Sequence, residues 1–179
     1  MSEFHQLMEE QIPRLRRYAC ALTRNAEMGD DLVQETLVRA LAKRHLWQPG
    51  TNLRAWLFTI MHNQNVNLVR RNLREGSVES LSELSDKLAG TTSDPIVRRQ
   101  LCELEHAIDD LPIEQRQVIL LIGLEGMNYA EAAAVINVPV GTVRSRLSRA
   151  REALRQIMGI SEKRYTAETL QVCIPPLAA

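Results

Sequence analysis

Hydrophobic side chains recur at helical spacing along the first 75 residues. From Ile12 to Thr23, apolar residues occupy positions i, i+3, i+4 and i+7, the pattern of one buried helix face. The same period returns from Met28 to Ala42, after a turn at Arg24–Ala26, and again from Leu53 to Arg71. Gln48–Asn52 contains Pro-Gly and predicts the turn before the last of these helices. The pattern therefore predicts a helical bundle.

The pattern also predicts which side chains form the core of this bundle. On a helical wheel, one half of the second helix is apolar, and the third helix has a core face of its own. The predicted core residues of these two helices are Leu32, Val33, Leu37, Ala40, Leu41, Trp56, Leu57, Ile60, Met61 and Leu68.

The second half of the chain has the order helix, tight turn, basic helix. Helices are predicted over Asp94–Asp110 and over Pro112–Gly123, the latter with Pro at its first helical position. Asn128 followed by Glu131 has N-cap and N3 chemistry, and the apolar run AAAVI comes next. A turn predicted at Asn137–Gly141 then leads into the basic sequence TVRSRLSRAREAL. This order is helix-turn-helix organisation.

Between the two halves, Gly76–Asp94 lacks sustained periodicity and is rich in Ser, Glu, Asp and Thr. The net charge of the chain is zero, yet residues 76–111 hold 3 basic and 8 acidic residues between two mildly basic segments. We therefore predict an all-α fold of two small helical domains, 1–75 and 95–158, joined by an acidic flexible linker over 76–94. No role is assigned to the tail, 159–179.

Composition excludes several classes of protein. The chain is 45% hydrophobic and 25% charged, a globular composition, and no window approaches 18 consecutive apolar residues. The N-terminus lacks a signal-peptide pattern, so we expect a cytoplasmic protein without membrane insertion. Cys20, Cys102 and Cys173 show no CxxC spacing, and four scattered histidines form no HExxH motif. We expect no enzyme activity, no cofactor and no metal.

The basic helix has an arginine-rich outer surface. One apolar stripe should face the domain core, and it consists of Val143, Leu147, Ala150, Leu154 and Ile157. Exposed helices usually mix charges of both signs, but Glu152 is the only acid between Val138 and Leu154. Arg144 and Arg146 lie near the helix start, where the dipole disfavours cations and favours phosphate. We interpret this helix as a reader of DNA; the alternative is a solvated charged face.

Three motifs resemble those of the extracytoplasmic-function (ECF) sigma factors, short members of the sigma-70 family that keep regions two and four. The first is DDLVQETLVRAL (Asp30–Leu41), similar to the helix that docks on the polymerase β′ clamp helices. The second is NLRAWLFTIMHNQNVNLVRR (Asn52–Arg71), similar to the segment that opens and reads the −10 element. The third is GMNYAEAAAVINVPVGTVRSRLSRAREAL (Gly126–Leu154), similar to the helix-turn-helix that reads the −35 element.

The resemblance implies roles for individual residues. The outward half of the first motif would bind core polymerase, through Asp31, Gln34, Glu35 and Val38. A loop holding a flipped base and the helix after it would read the −10 element, through Gln48, Gly50, Thr51, Asn52, Asn63, Asn67, Arg70 and Arg71. The basic helix would read the −35 element, through Thr142, Arg144, Ser145, Arg146, Ser148, Arg149 and Arg151.

The resemblance also implies partners: core RNA polymerase, through its β′ clamp helices and β flap, promoter DNA and an anti-sigma factor. The stretches QPGTN and YAEAAAVI are most similar to general-stress sigma factors of alphaproteobacteria. Ser148 departs from relatives with an aromatic residue there, so the promoter sequence does not transfer. Trp56 and Phe58 could act as wedges in strand melting, but we expect Trp56 in the core.

Three other classes of protein stay open at this point. The second half alone would fit an ordinary helix-turn-helix repressor or activator, which has no need of the first two motifs. A sigma-like decoy for an anti-sigma factor would usually carry a receiver domain, and the sequence shows no βα repeat. An enzyme would need a catalytic motif, and none is visible.

Overall fold

The structure is a computed structural model that describes residues 3–75 and 94–160. Within these ranges every regular element is helical, which confirms the predicted all-α class. The helices are α1 (Glu3–Thr23), α2 (Ala26–Ala42), α3 (Leu53–Glu75), α4 (Pro95–Asp109), α5 (Ile113–Ile119), α6 (Tyr129–Ile136) and α7 (Val140–Ile157), with a 3₁₀ turn at Arg44–Leu46 and a π-helical turn at Leu120–Leu124. The predicted linker and tail, including Cys173, lie outside the described residues except for Asp94, Gly159 and Ile160.

Helices α1, α2 and α3 form the first module. Helix α1 begins at Glu3 rather than near Ile12 because Phe4 and Met8 extend its buried face by two turns. Its predicted core positions, Leu15, Tyr18, Ala19 and Leu22, are all buried. Helices α1 and α2 approach each other closely at Gly29, where a Cβ atom would lie 2.9 Å from the Cys20 amide nitrogen. This glycine therefore sets the spacing of the two helices.

Two aromatic residues of α3 lie in the core or beside it. The Phe58 side chain is fully buried, and its ring meets the Tyr18 ring edge-on at 5.1 Å between centroids. Trp56 is half-buried and lies 6.4 Å from the Phe4 ring. Phe58 is thus part of the packing that holds α1 to α3, and it is inaccessible as a wedge in this conformation.

The prediction that Leu41 belongs to the core is wrong. Helix α2 buries a narrow stripe that includes Leu32, Val33, Thr36 and Ala40, and Leu41 is 38% exposed beside it. A polar residue occupies the centre of the stripe because the Thr36 hydroxyl donates to the Leu32 carbonyl at 2.7 Å. Satisfied in this way, Thr36 can be fully buried, and the apolar surface of Leu41 is left at the edge.

Helices α4 to α7 form the second module. Asp94 caps α4 by accepting a hydrogen bond from the Ile96 amide at 2.9 Å. Pro112 is the N-cap of α5 rather than its first helical residue, and α5 continues into the π-helical turn instead of running as one helix to Gly123. The π-helical turn ends at Glu125, which thereby becomes a buried residue facing the first module.

The helix-turn-helix consists of α6, a short turn and α7. Asn137 adopts the left-handed conformation (φ 52°) that closes α6, and Pro139 caps α7, so Gly141 lies inside the helix and not in the turn. Val143, Leu147 and Ala150 are buried as predicted. The expectation that Ile157 is in the core is wrong, since it is 48% exposed. Helix α7 has 18 residues against 7 in α5 and 8 in α6, so its last turn extends beyond them.

Candidate nucleic-acid interface

The outer face of α7 presents cations without carboxylate partners. Arg144, Ser145, Ser148, Arg149 and Arg151 are exposed together. Within the parts of the chain that the structure describes, the three arginines of this set form no ion pair. Their guanidinium groups are therefore available to phosphate oxygens or to guanine edges. The side chains of the two serines are small, so they do not project beyond the arginines.

Two predicted members of this face are placed differently. The Arg146 side chain is only 22% exposed, and its Nη2 lies 3.4 Å from Glu114 Oε2 of α5. Thr142 is half-buried, and its carbonyl accepts a hydrogen bond from the Ser145 hydroxyl at 3.0 Å. Because α7 begins at Val140, Arg144 and Arg146 lie in its second turn, where the dipole argument used for them is weak.

Tyr129 is a residue of this face that the sequence did not single out. It is the first residue of α6, 39% exposed, and the Arg144 guanidinium carbon stands 5.6 Å from its ring centroid. The ring attracts the cation and limits the positions that the arginine can adopt. An exposed aromatic residue beside the N-cap, in a chain with 4% aromatic residues, was the available signal.

The predicted loop between α2 and α3 is a tight, exposed turn. The Thr51 amide and hydroxyl both donate to the Gln48 carbonyl, at 3.1 and 2.7 Å. Pro49 and Gly50 (φ 85°) occupy the two central places, as in a type II turn. Asn52 caps α3, since its Oδ1 accepts from the Ala55 amide at 3.0 Å.

The α3 residues predicted to meet −10 DNA are also exposed, namely Asn63, Asn67, Arg70 and Arg71. The structure does not bring them to the loop, because Asn63 lies eleven helical steps beyond Asn52, about 16 Å of rise. Next to Asn63 the helix buries His62, Gln64 and Asn65. Burial and the nearby Arg146 cation lower the pKa of His62.

The outward half of α2 is exposed as predicted, with Asp31, Gln34, Glu35 and Val38 on the surface. Val38 is 64% exposed, and Glu35 pairs with Arg39 at 2.9 Å one turn further on. The exposed side chains of Leu41 and Leu46 add to the apolar surface in this part of the chain, which the sequence reading missed. A mixed apolar and acidic surface of this kind fits a protein partner rather than DNA.

Two kinds of feature are absent from residues 3–75 and 94–160. None of the helices within residues 3–75 and 94–160 is both long and apolar enough to cross a membrane. Over the same residues, no group of three or more His, Cys, Asp or Glu side chains could hold a metal ion. Cys102 is a free thiol.

The fold is that of a helix-turn-helix protein with a second helical module, whose α2 surface mixes exposed apolar and acidic side chains. Family models match both modules: the Sigma2 domain of PhyR over residues 8–62, and Sigma-70, region 4, over residues 102–154. The chain is 41% identical over 147 residues to ECF RNA polymerase sigma factor EcfG of Rhodopseudomonas palustris (strain TIE-1), covering 82% of this chain and 80% of that protein. This chain belongs to the ECF family of RNA polymerase sigma factors.

Two further similarities agree with this membership. ECF RNA polymerase sigma factor SigE of Mycolicibacterium smegmatis (strain ATCC 700084 / mc(2)155) is 33% identical over 175 residues, which is 96% of this chain and 66% of that protein. The sigma factor RpoE from Bartonella quintana, solved in complex with the anti-sigma factor NepR, superposes with a TM-score of 0.78 at 33% identity, covering 90% of this chain and 99% of that one. Because these matches span both modules, a repressor or activator with only a helix-turn-helix is excluded.

Proposed function

We propose that this chain directs core RNA polymerase to promoters by dividing the work between its two modules. The first module binds the polymerase through the outward face of α2 and captures the −10 element with the Gln48–Asn52 loop and the exposed side of α3. The second module anchors the complex at the −35 element through α7 and also meets the β flap. The observation that carries this proposal is the unpaired arginine face of α7.

Each surface has the chemistry that its role requires. Arg144 and Arg149 can donate two parallel hydrogen bonds to guanine or one phosphate, and Arg151 can bind the backbone. Val38 offers a partner an apolar anchor within a ring of polar groups, which is how protein interfaces gain most of their affinity. The exposed amides of Asn63 and Asn67 suit hydrogen bonds to unstacked bases.

The chain supplies binding energy, and the polymerase supplies the chemistry. Unstacking a base costs a few kcal/mol, which a pocket that holds the flipped base can offset. Such a protein needs no cofactor of its own and acts in the cytoplasm, where polymerase and promoters are found. Since its net charge is zero, the isolated chain should bind DNA weakly and in a salt-sensitive way.

Regulation by an anti-sigma factor completes the proposal. The Bartonella quintana sigma factor was solved in complex with the anti-sigma factor NepR, and the superposition covers nearly all of both chains. A partner of the same kind would control this chain by covering the surfaces used for polymerase and promoter. The resemblance of QPGTN and YAEAAAVI to general-stress sigma factors makes a stress- or envelope-response regulon the expected target.

The test is transcription in vitro with bacterial core polymerase lacking its own sigma factor, using a library of genomic fragments. Val38→Asp should abolish association with core polymerase, whereas Ile96→Asp, at an equally exposed apolar position (68%) on α4, should not. Arg149→Gln should weaken promoter use by about five- to 150-fold, because one bidentate base contact contributes roughly 1–3 kcal/mol. Arg155→Gln, whose guanidinium already pairs with Glu152 at 2.9 Å, is its matched control.

Absence of any transcript with the wild-type chain, or equal loss with the variants and their controls, would contradict the proposal. Salt-resistant, nanomolar promoter binding by the isolated chain would contradict the division of labour, since it would leave the polymerase no part in recognition.

A further inference from the structure

We infer that Phe4, in the first turn of α1, is a positioning residue for the Gln48–Asn52 loop. Its ring meets the rings of the two tryptophans that flank this loop, Trp47 directly before it and Trp56 in the first turn of α3 after it. We call these three side chains the aromatic cluster. The role at the −10 element rests on the proposed function; the contact within the aromatic cluster does not.

The aromatic cluster has the geometry of favourable ring contacts. Between centroids, the Phe4 ring lies 5.3 Å from the Trp47 ring at an interplanar angle of 50°, and 6.4 Å from the Trp56 ring at 69°. Tilted and edge-on pairs at these separations attract each other beyond the effect of the area that they bury. Phe4 is only 8% exposed, so the contact also removes its ring from water. One side chain of α1 therefore joins the start of the loop to its end.

The hydrogen bonds of the Gln48–Thr51 turn are local. The Thr51 amide and hydroxyl donate to the Gln48 carbonyl, and the Trp47 amide donates to the Arg44 carbonyl at 3.1 Å, three residues back. Bonds between such near neighbours in the chain give the turn its shape, but they do not fix its direction relative to α1. Residues 48–51 are all exposed, so the packing that fixes this direction has to come from residues on either side of them.

A fixed direction matters for a loop that captures a flipped base. A loop that becomes ordered only on binding loses affinity through the conformational entropy of that ordering. A loop that can adjust also accommodates a wrong base more easily, so it discriminates less between bases. Because Phe4 joins both ends of the loop, we expect the aromatic cluster to affect the reading of −10 bases, and not the reading of the −35 element or the affinity for polymerase.

The contact can be observed directly, because the chain has two tryptophans and both belong to the aromatic cluster. Tryptophan fluorescence of the full free chain therefore reports on this cluster alone. Phe4→Leu keeps an apolar side chain but removes the ring, so Trp47 and Trp56 should emit at longer wavelength and be quenched more by acrylamide. Phe58→Leu removes the ring that pairs with Tyr18 at 5.1 Å, and it should leave the emission unchanged.

The functional test measures how strongly the reconstituted polymerase discriminates between promoters with single base changes in the −10 or the −35 element. Phe4→Leu should lower −10 discrimination about two- to tenfold, the size expected for the loss of one or two aromatic contacts, and should leave −35 discrimination unchanged. Phe58→Leu is the matched control. It removes the same atoms from a fully buried position of the same module, so it should lower the unfolding midpoint at least as much without affecting −10 discrimination.

A second pair of variants tests the same contact from the side of the loop, so that a folding defect of Phe4→Leu does not decide the result. Trp47→Leu should lower −10 discrimination in the same way as Phe4→Leu. Trp47→Phe keeps a ring against Phe4, and it should restore most of the discrimination. Equal defects in Trp47→Leu and Trp47→Phe would contradict a role for the ring contact.

Unchanged emission and quenching in Phe4→Leu would overturn the inference, since the ring would then not shield the tryptophans. Equal loss of −10 discrimination in Phe4→Leu and Phe58→Leu would also overturn it, because the loss would follow stability alone. A wild-type chain that starts no transcripts contradicts the proposed function, and the emission of Phe4→Leu still decides whether the aromatic cluster exists.

Discussion

The contact between Tyr129 and Arg144 shows how single side chains tune the α7 face. Arg144 has no carboxylate partner within the described residues, so the aromatic ring at 5.6 Å is what restricts its position. A restricted arginine loses less conformational entropy when it binds, which favours affinity and fixes the base position that it reads.

We expect Tyr129→Ala to weaken promoter use by about two- to fivefold, since an exposed cation–π contact is worth roughly 0.5–1 kcal/mol. Tyr129→Phe keeps the ring and should retain most activity. The measurement is the affinity of the reconstituted polymerase for one promoter and for the same promoter with each −35 base changed. If Tyr129→Phe is as defective as Tyr129→Ala, the phenolic hydroxyl and not the ring is responsible.

For single residues, the sequence predicts well which side chains are exposed but poorly which other side chains they contact. Helical periodicity correctly placed Val38, Arg144 and Arg149 on the surface because the period alone fixes the outward side. Periodicity could not predict the ion pair between Arg146 and Glu114, or the burial of the Glu125 carboxylate against Arg17. Those contacts depend on how helices far apart in sequence meet, and no periodicity records that.

Among the elements, α6 shows the closest agreement between local sequence and local structure. Asn128 Oδ1 accepts from the Glu131 amide at 2.9 Å, and Glu131 Oε2 accepts from the Asn128 amide at 3.0 Å. This reciprocal cap was predicted from the residue types three positions apart. It matters because α6 has only 8 residues and depends on its termini for stability.

We expect Asn128→Ala to destabilise the second module by about 1 kcal/mol through loss of this cap. Thermal unfolding followed by circular dichroism should show a lower midpoint. Asn63→Ala is the control, because the same change at an exposed interior position of α3 favours helix slightly. Equal midpoints for Asn128→Ala and the wild-type chain would show that Glu131 alone holds the start of α6.

Element boundaries were harder to predict than element identity. Phe4 and Met8 continue the apolar face of α1 beyond its predicted start at Ile12, and Pro13 lies inside the helix. The region predicted as one helix from Pro112 changes to a π-helical turn at Leu120, where continuous apolar sequence gives no sign of the change. The consequence is structural, since this turn precedes the buried Glu125.

For the whole molecule, the sequence predicted two modules and a linker, and the described structure shows the two modules in contact. The zero net charge conceals complementary faces, with Arg17, Arg24 and Arg54 on one side and Asp109, Glu125 and Glu131 on the other. Local charge counts along the chain could not show this, because each face collects residues from several helices.

The molecule as a whole should also respond to mild acid through His62. Burial and the Arg146 cation of α7 lower the pKa of His62 in the folded chain below its ordinary value of about 6.5. Above that value His62 is neutral in both the folded and the unfolded chain. As pH falls through it, the unfolded chain takes up the proton first, so the free energy of unfolding decreases.

We expect the unfolding midpoint of the wild-type chain to fall more between about pH 7.5 and pH 5.5 than that of His62→Gln, which cannot take up this proton. Burial raises the pKa values of Glu105 and Asp109, and raised carboxyl pKa values act in the opposite direction. Both carboxyls are present in each protein, so the difference between the two slopes isolates His62. Parallel slopes would mean that His62 is protonated as easily in the folded chain as in the unfolded one, and hence that neither burial nor the Arg146 cation lowers its pKa.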